Sequence, residues 1–182
     1  MIQDQYQEAI KYAGEKHKDQ LVPGTHSNYL LHLSNVSMEI LLAHQNEPNF
    51  DLGIAVQLAL LHDVLEDTAT SLEALTEEFG QIIAEGVLAL TKNEKLASKE
   101  ERMDDSLNRI VDSYMEVSLV KIADRITNLQ APPSYWSREK IERYGHEAQK
   151  IYDQLNGKNG YLDKRLANKI LDYKKYWVQQ NT

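Results

Sequence analysis

The sequence contains no cysteine, and this absence excludes several kinds of site at once. Without thiols the chain cannot form disulfide bonds, a thiolate zinc site or a cysteine nucleophile. Its 182 residues include only eight glycines and four prolines, and no alternating run of β-branched residues stands out. Because turn and strand signals are scarce while helical periodicity is common, the sequence predicts an all-α protein.

Positive charge is also scarce. The chain has 20 lysines and arginines against 28 aspartates and glutamates, which gives a formal net charge of −8. This charge argues against binding to nucleic-acid polymers or anionic membranes. No apolar run approaches the roughly 20 residues that span a bilayer, and the N-terminal stretch is amphipathic and unlike a signal peptide. We therefore expect a cytoplasmic protein with no membrane partner.

Apolar residues make up 42% of the chain and recur at helical spacing along most of it. The predicted helices cover residues 2–18, 29–44, 54 to about 67, 70–80, 81–90, 98–111, 117–130, 137–155 and 162–178. Thr70 and Ser98 are each followed by glutamate at the spacing of a capping box. Since no repeat or linker divides the chain, we predict a single helical-bundle domain of about eight helices over residues 1–182.

The most unusual stretch is "LALLHDVLEDT" at residues 58–68, where an apolar helical run meets four ionisable side chains. At helical spacing Asp63 faces Glu66 and Asp67, and like charges placed in this way destabilise a helix by about 0.3 kcal/mol per pair. A helix C-terminus prefers a cation to a carboxylate, which adds to the cost. The stretch therefore indicates that something positive lies against it, and we expect a divalent metal.

Two distant segments contain further donors for such a metal. His32 lies on the second predicted helix, and Asp124 lies in an apolar setting beside Ala123. With His62 and Asp63 they would form a set of two imidazoles and two carboxylates, which suits Mn²⁺, Fe²⁺ or Zn²⁺. Each residue alone has an ordinary explanation, such as a core histidine or a surface ion pair. Their joint placement beside apolar helices favours a site, because buried charges need partners.

Several segments resemble the hydrolase domain of the RelA/SpoT family, which belongs to the HD-domain metal-dependent phosphohydrolases and includes stand-alone small alarmone hydrolases. They are "HKDQLVPGTHSNYLLHLSNV" at 17–36, "ALLHDVLEDT" at 59–68, "ALTK" at 89–92 and "VKIADRITNL" at 120–129. The resemblance implies an HD domain that removes pyrophosphate from the 3′ position of guanosine tetra- or pentaphosphate, the nucleotides of the stringent response. It covers only the hydrolase half of the family, so no synthetase activity is expected.

The resemblance also implies roles for individual residues. The residues that match the family's metal ligands, usually of Mn²⁺, are His32, His62, Asp63 and Asp124. The acidic pair that positions or deprotonates the attacking water matches Glu66 and Asp67, and nucleotide contacts match Asn128 and Tyr144. Phosphate groups need positive charge beyond the metal, and the candidates in this sequence are Lys92, Lys121 and Arg125.

One loop departs from the family pattern. A basic pair usually follows the glutamine equivalent to Gln20, but here Leu21 and Val22 occupy those positions. Three functions therefore stay open: hydrolysis of the guanosine alarmone, hydrolysis of another nucleotide such as a nucleoside monophosphate or cyclic nucleotide, and a non-catalytic helical binding module. Retention of Glu66 and Asp67 beside all four ligands argues against the last. The expected partner is a small nucleotide, and a homo-oligomer is left open.

Overall fold

The computed structural model describes residues 1–178, which form nine α-helices and one 3-10 turn. The helices are α1 (Ile2–Lys16), α2 (Leu30–Asn46), α3 (Leu52–Leu61), α4 (Val64–Asp67), α5 (Leu72–Leu90), α6 (Lys99–Val111), α7 (Met115–Asn128), α8 (Arg138–Leu155) and α9 (Gly160–Tyr173), and the 3-10 turn is Lys174–Tyr176. Because α4 is a single turn of four residues, the prediction of an all-α bundle of about eight helices is confirmed.

Helices α3 and α7 form the centre of the bundle. Seven of the ten residues of α3 and twelve of the fourteen residues of α7 are buried. Helices α1, α2 and α5 pack around α3, while α2, α8 and α9 pack around α7, and the two central helices also contact each other. A helix that is buried on most sides belongs to the interior of a protein. Polar side chains at the end of α3 and along α7 are therefore held inside the bundle.

The chain does not pass from α3 into α4 as one continuous helix. Helix α3 ends at Leu61, and His62 and Asp63 form a turn before α4 begins at Val64. Successive residues of a regular helix point about 100° apart, but this turn brings the His62 and Asp63 side chains to one point. The backbone N–H of Asp67 still donates to the Asp63 carbonyl (2.8 Å), so the acidic residues stay within one turn.

Helix α5 differs in detail from the sequence prediction. The two helices predicted on either side of Gly80 form one element, bent where Gly80 has φ 81° and ψ 165°. The predicted cap at Thr70 is wrong, because the Ser71 hydroxyl accepts from the backbone N–H of Ala74 instead. The Thr70 hydroxyl is hydrogen-bonded to that of Thr68 (2.8 Å), which removes it from the helix end. The capping box predicted at the start of α6 is confirmed.

No helix formed by residues 1–178 combines the length and the apolarity needed to cross a bilayer. The predicted domain boundary at residue 182 lies outside the described residues. The single-domain extent over 1–182, the cytoplasmic location and the oligomeric state stay predictions.

Candidate metal centre

Four side chains from three parts of the fold converge inside the bundle. His32 comes from α2, His62 and Asp63 from the α3–α4 turn, and Asp124 from α7. The Nε2 atoms of the two histidines lie 3.4 Å apart. Asp124 Oδ1 is 3.4 Å from His32 Nε2 and 3.8 Å from His62 Nε2, whereas Asp63 Oδ2 is 2.9 Å from His62 Nε2 and 3.9 Å from His32 Nε2. The side chains predicted as metal ligands are thus brought together.

These separations fit one metal ion. Two donors that each lie about 2.1 Å from an ion are about 3.0 Å apart at a right angle and about 3.4 Å apart at the tetrahedral angle. Five of the six donor pairs lie between 2.9 and 3.9 Å apart, around these values. His32, His62 and Asp124 form the group whose ligand atoms all lie within 4.8 Å of one another, and Asp63 lies beside it against His62. The mixture of imidazole nitrogens and carboxylate oxygens suits a divalent ion of intermediate hardness. The residues present therefore fit a divalent metal.

The second nitrogen of His62 holds the ring in a ligand orientation. Its Nδ1–H donates to the Ala59 carbonyl (2.9 Å), which leaves the Nε2 lone pair directed at the cluster. Burial disfavours the charged ring, but the carboxylates of Asp63 and Asp124 outweigh burial and raise the pKa of His62 to about 9. The surroundings of Nε2 therefore attract positive charge, whether a proton or a metal ion.

Each donor carboxylate is held by a second side chain. The Tyr29 hydroxyl donates to Asp63 Oδ2 (2.5 Å), and burial together with this carboxylate raises the pKa of Tyr29 far above its usual value. The Asn128 amide donates to Asp124 Oδ1 (2.5 Å), while Lys121 Nζ lies 3.5 Å from Asp124 Oδ2. Although burial opposes ionisation, Lys121 and the two histidines hold the pKa of Asp124 well below its usual range. Asn128 and Lys121 are therefore engaged with a candidate ligand.

Glu66 and Asp67 have different partners. Glu66 accepts from Lys92 twice, from Nζ at 2.6 Å and from the backbone N–H at 3.0 Å. Asp67 Oδ2 accepts from the side-chain amide of Gln20 (2.8 Å). Burial raises the pKa of Asp67, and the bond from Gln20 offsets only part of that effect. Lys92 thus pairs with Glu66, whereas Asp67 is bonded to a neutral amide and burial raises its pKa.

A cavity of about 220 Å³ joins these groups. The sequence-predicted residues along its walls are His62, Asp63, Glu66, Asp67, Lys92, Lys121, Asp124, Arg125, Asn128 and Tyr144. His32 instead lines a neighbouring cavity of about 310 Å³, and Asn128 and Tyr144 line both. The structure therefore brings every predicted site residue to one region, while their individual roles stay predictions.

Arg125 is the least satisfied charge in this cavity. The side chain is buried, and its Cζ lies 4.2 Å from the ring centroid of Tyr144. Its Nη2 is 3.9 Å from a Glu147 carboxylate oxygen, but Nε and Nη1 have no hydrogen-bond partner among residues 1–178. A buried guanidinium with unused N–H groups is costly, and an acceptor that reached these groups would lower that cost.

Sequence reasoning assigned no role to three residues that contact the site: Gln20, Tyr29 and Glu147. Their contacts join segments that lie far apart in sequence, as in the bond from Tyr29 to Asp63. Gln20 and Tyr29 both lie inside the matching segment at 17–36, which was the only signal that could have pointed to them.

Known proteins match the chain over most of its length. A family model described as HD domain matches residues 9–162. The guanosine-3′,5′-bis(diphosphate) 3′-pyrophosphohydrolase MESH1 of Danio rerio is 30% identical over 170 residues, covering 91% of this chain and 92% of the relative. The protein of the same name from Xenopus tropicalis is 31% identical with the same shares. A solved structure of a metazoan ortholog of SpoT that hydrolyzes ppGpp superimposes with a TM-score of 0.80 at 28% identity, covering 96% of this chain and 97% of that one.

Proposed function

The chain belongs to the HD-domain family, and from this premise we propose that it is a metal-dependent phosphohydrolase of guanosine-3′,5′-bis(diphosphate), or ppGpp. The observation that carries the proposal is the convergence of His32, His62 and Asp124, with Asp63 against His62, beside the two acids Glu66 and Asp67. Mn²⁺ is the ion that we propose, with Fe²⁺ and Zn²⁺ as alternatives. The relatives named above are 3′-pyrophosphohydrolases, and this supports release of pyrophosphate as the reaction.

A bound divalent ion would supply Lewis acidity, which makes a water molecule acidic enough to lose a proton near neutral pH. Asp67 is the residue that we assign as proton acceptor, because burial raises its pKa and so strengthens it as a base. Glu66 lies within one helical turn of the candidate ligand Asp63, and Lys92 fixes its position. We therefore assign Glu66 to orienting the water. In this assignment Asp67 deprotonates the attacking water and Glu66 orients it.

Arg125 is the residue that we assign to the substrate phosphates. Its Nε and Nη1 groups are buried without a partner among residues 1–178, and a movement of the side chain toward the cavity would let them donate to phosphate oxygens. Lys92 is paired with Glu66, and Lys121 with Asp124. To bind a substrate phosphate, each lysine would have to leave its carboxylate. Tyr144 lines both cavities, and this supports our assignment of its ring to contact with the nucleotide.

A second candidate function keeps the metal and changes the nucleotide. Leu21 is 51% exposed and Val22 lines the second cavity, at the positions where the family usually has a basic pair. An apolar loop adds no positive charge for the phosphates of ppGpp. This feature favours hydrolysis of a less charged substrate, such as a nucleoside monophosphate or a cyclic nucleotide.

An initial-rate panel separates these functions. Protein loaded with Mn²⁺ is assayed with ppGpp, nucleoside 3′- and 5′-monophosphates and cyclic nucleotides, and released phosphate and pyrophosphate are measured separately. We expect the highest kcat/KM for ppGpp, with pyrophosphate as product. A preference for a monophosphate or cyclic nucleotide establishes the second function. Folded, metal-loaded protein that hydrolyses none of them overturns both and revives the non-catalytic binding module.

A further inference from the structure

A chain of hydrogen bonds leads from a buried histidine to Asp67. His17 Nδ1 is 2.5 Å from Gln20 Oε1, and Gln20 Nε2 donates to Asp67 Oδ2 at 2.8 Å. His17 follows the last residue of α1, and its own backbone N–H donates to the Ala13 carbonyl (2.8 Å). The chain therefore connects the end of a packed helix to the acid that we assign as proton acceptor.

The first bond fixes the direction of the second. The amide of Gln20 has one accepting end and one donating end. Because the ring N–H of His17 takes the accepting oxygen, the NH₂ group is the end that faces Asp67. In the opposite orientation an amide oxygen would face a carboxylate, which is repulsive. His17 thus acts on Asp67 through the orientation of Gln20.

His17 itself has little freedom to move. Only 1% of the residue is exposed, and its ring centroid lies 5.1 Å from that of Tyr29. Tyr29 in turn donates to Asp63, and its backbone N–H donates to the Gln20 carbonyl (2.9 Å). Within residues 1–178 the other ring nitrogen of His17 has no hydrogen-bond partner. Gln20 is therefore the group that compensates for burying this polar ring.

We propose that Gln20 and His17 are positioning residues that hold the carboxylate of Asp67 with one oxygen bound and the other available to take a proton. The bond from Gln20 occupies Oδ2 of Asp67, which leaves Oδ1 to accept the proton. The catalytic consequence rests on the proposed function, whereas the effect on Asp67 itself does not. The two can therefore be tested separately.

The variant Gln20→Met removes the amide and keeps a side chain of similar length. A lost donor to a carboxylate raises its pKa, so we expect the Asp67 pKa to rise by about half a pH unit or more in a carbon-13 carboxyl NMR titration of metal-free protein. We expect kcat to fall about tenfold with little change in KM, and the acid limb of the kcat–pH profile to move to higher pH. The control Gln7→Met, on the exposed side of α1, leaves all these quantities unchanged.

His17 is tested with a ring that cannot donate. His17→Phe should raise the Asp67 pKa in the same direction, and combining it with Gln20→Met should add little, because both act through one bond. Circular dichroism checks that the variant folds. His17→Gln, which keeps a donor, serves as the second variant, and its Asp67 pKa should lie between those of wild type and His17→Phe.

The outcomes are distinct. An unchanged Asp67 pKa in Gln20→Met overturns the proposal. A folded His17→Phe protein with the wild-type value overturns the part assigned to His17. Shifts in both variants of a protein that hydrolyses no nucleotide support the positioning and contradict the proposed function.

Discussion

At the scale of single residues, three of the four candidate metal donors have a second bond that fixes their direction. His62 is held by the Ala59 carbonyl, Asp63 by Tyr29 and Asp124 by Asn128. Such outer bonds set the orientation and the basicity of metal ligands. Glu66 and Asp67 are also held by hydrogen bonds. The charged Lys92 holds Glu66, whereas the neutral Gln20 holds Asp67. Because of this difference in charge, we assign the two acids different roles.

The division of labour between the two acids predicts unequal effects of neutral substitutions. Asp67→Asn should lower kcat by about 100-fold or more because it removes the proton acceptor. Glu66→Gln should slow turnover less, and both variants should retain metal. Steady-state rates and metal analysis of the purified variants check this. If Asp67→Asn turns over at the wild-type rate, the proton acceptor lies elsewhere, and a larger loss in Glu66→Gln would assign that role to Glu66.

We expect Arg125 to strengthen substrate binding without stabilising the folded protein. Arg125→Met removes a buried guanidinium with two unused N–H groups, so we expect unchanged or higher stability to heat. KM for a phosphorylated substrate should rise about tenfold or more, because the interaction with an ionised donor is lost. The matched variant is Arg165→Met, which breaks the ion pair with Glu39 and should lower Tm without changing KM. A drop in Tm with unchanged KM in Arg125→Met would mean that this arginine is structural.

At the scale of elements, breaks in the helices position the site as much as the helices do. The turn between α3 and α4 brings two neighbouring side chains to one point, and the bend at Gly80 lets α5 follow the bundle. Periodicity and local caps predicted the helices well, because those signals act within a few residues. The cap shifted from Thr70 to Ser71 because the Thr68 hydroxyl competes for Thr70, and helical spacing does not reveal such competition.

The bend in α5 predicts a backbone cost at Gly80. Gly80 has φ 81° and ψ 165°, a region that residues with a Cβ rarely adopt, and nothing lies within 4 Å of an added Cβ. Gly80→Ala should therefore lower the free energy of unfolding by about 1–3 kcal/mol through backbone strain alone. Urea denaturation measures this value, and Glu78→Ala on the exposed surface should change it by less than about 0.5 kcal/mol. Equal stability of the two variants would contradict the strained backbone.

At the scale of the whole molecule, the cluster exists only when distant parts of the chain are folded together. Its donors come from α2, the α3–α4 turn and α7. The four candidate donors were proposed from their chemistry and apolar setting, and the family resemblance matched them to a ligand set, since spacing alone does not bring His32 to Asp124. The bonds from Tyr29 and Gln20 were not predicted, because they depend on how the loop before α2 packs. Lys92 was expected to bind phosphate, and its pairing with Glu66 likewise emerges only from the fold.

This dependence on folding predicts that metal stabilises the protein. An ion that binds only the folded state adds about 2.7 kcal/mol of stability at a concentration 100 times its Kd. We expect Tm to rise with Mn²⁺ concentration and to fall when a chelator removes the ion. Asp63→Ala should remove the dependence. A wild-type Tm that is insensitive to Mn²⁺, Fe²⁺ and Zn²⁺ would contradict a metal site in this cluster.

The central claim is that these four donors hold one ion that is required for hydrolysis of a nucleotide. The most direct measurement titrates metal-free protein with Mn²⁺ and follows release of pyrophosphate from ppGpp. We predict that the rate rises until about one ion is bound per chain, and that His62→Ala and Asp124→Ala protein shows neither binding nor activity. Full activity without metal, or equal activity in Asp124→Ala, would contradict the account.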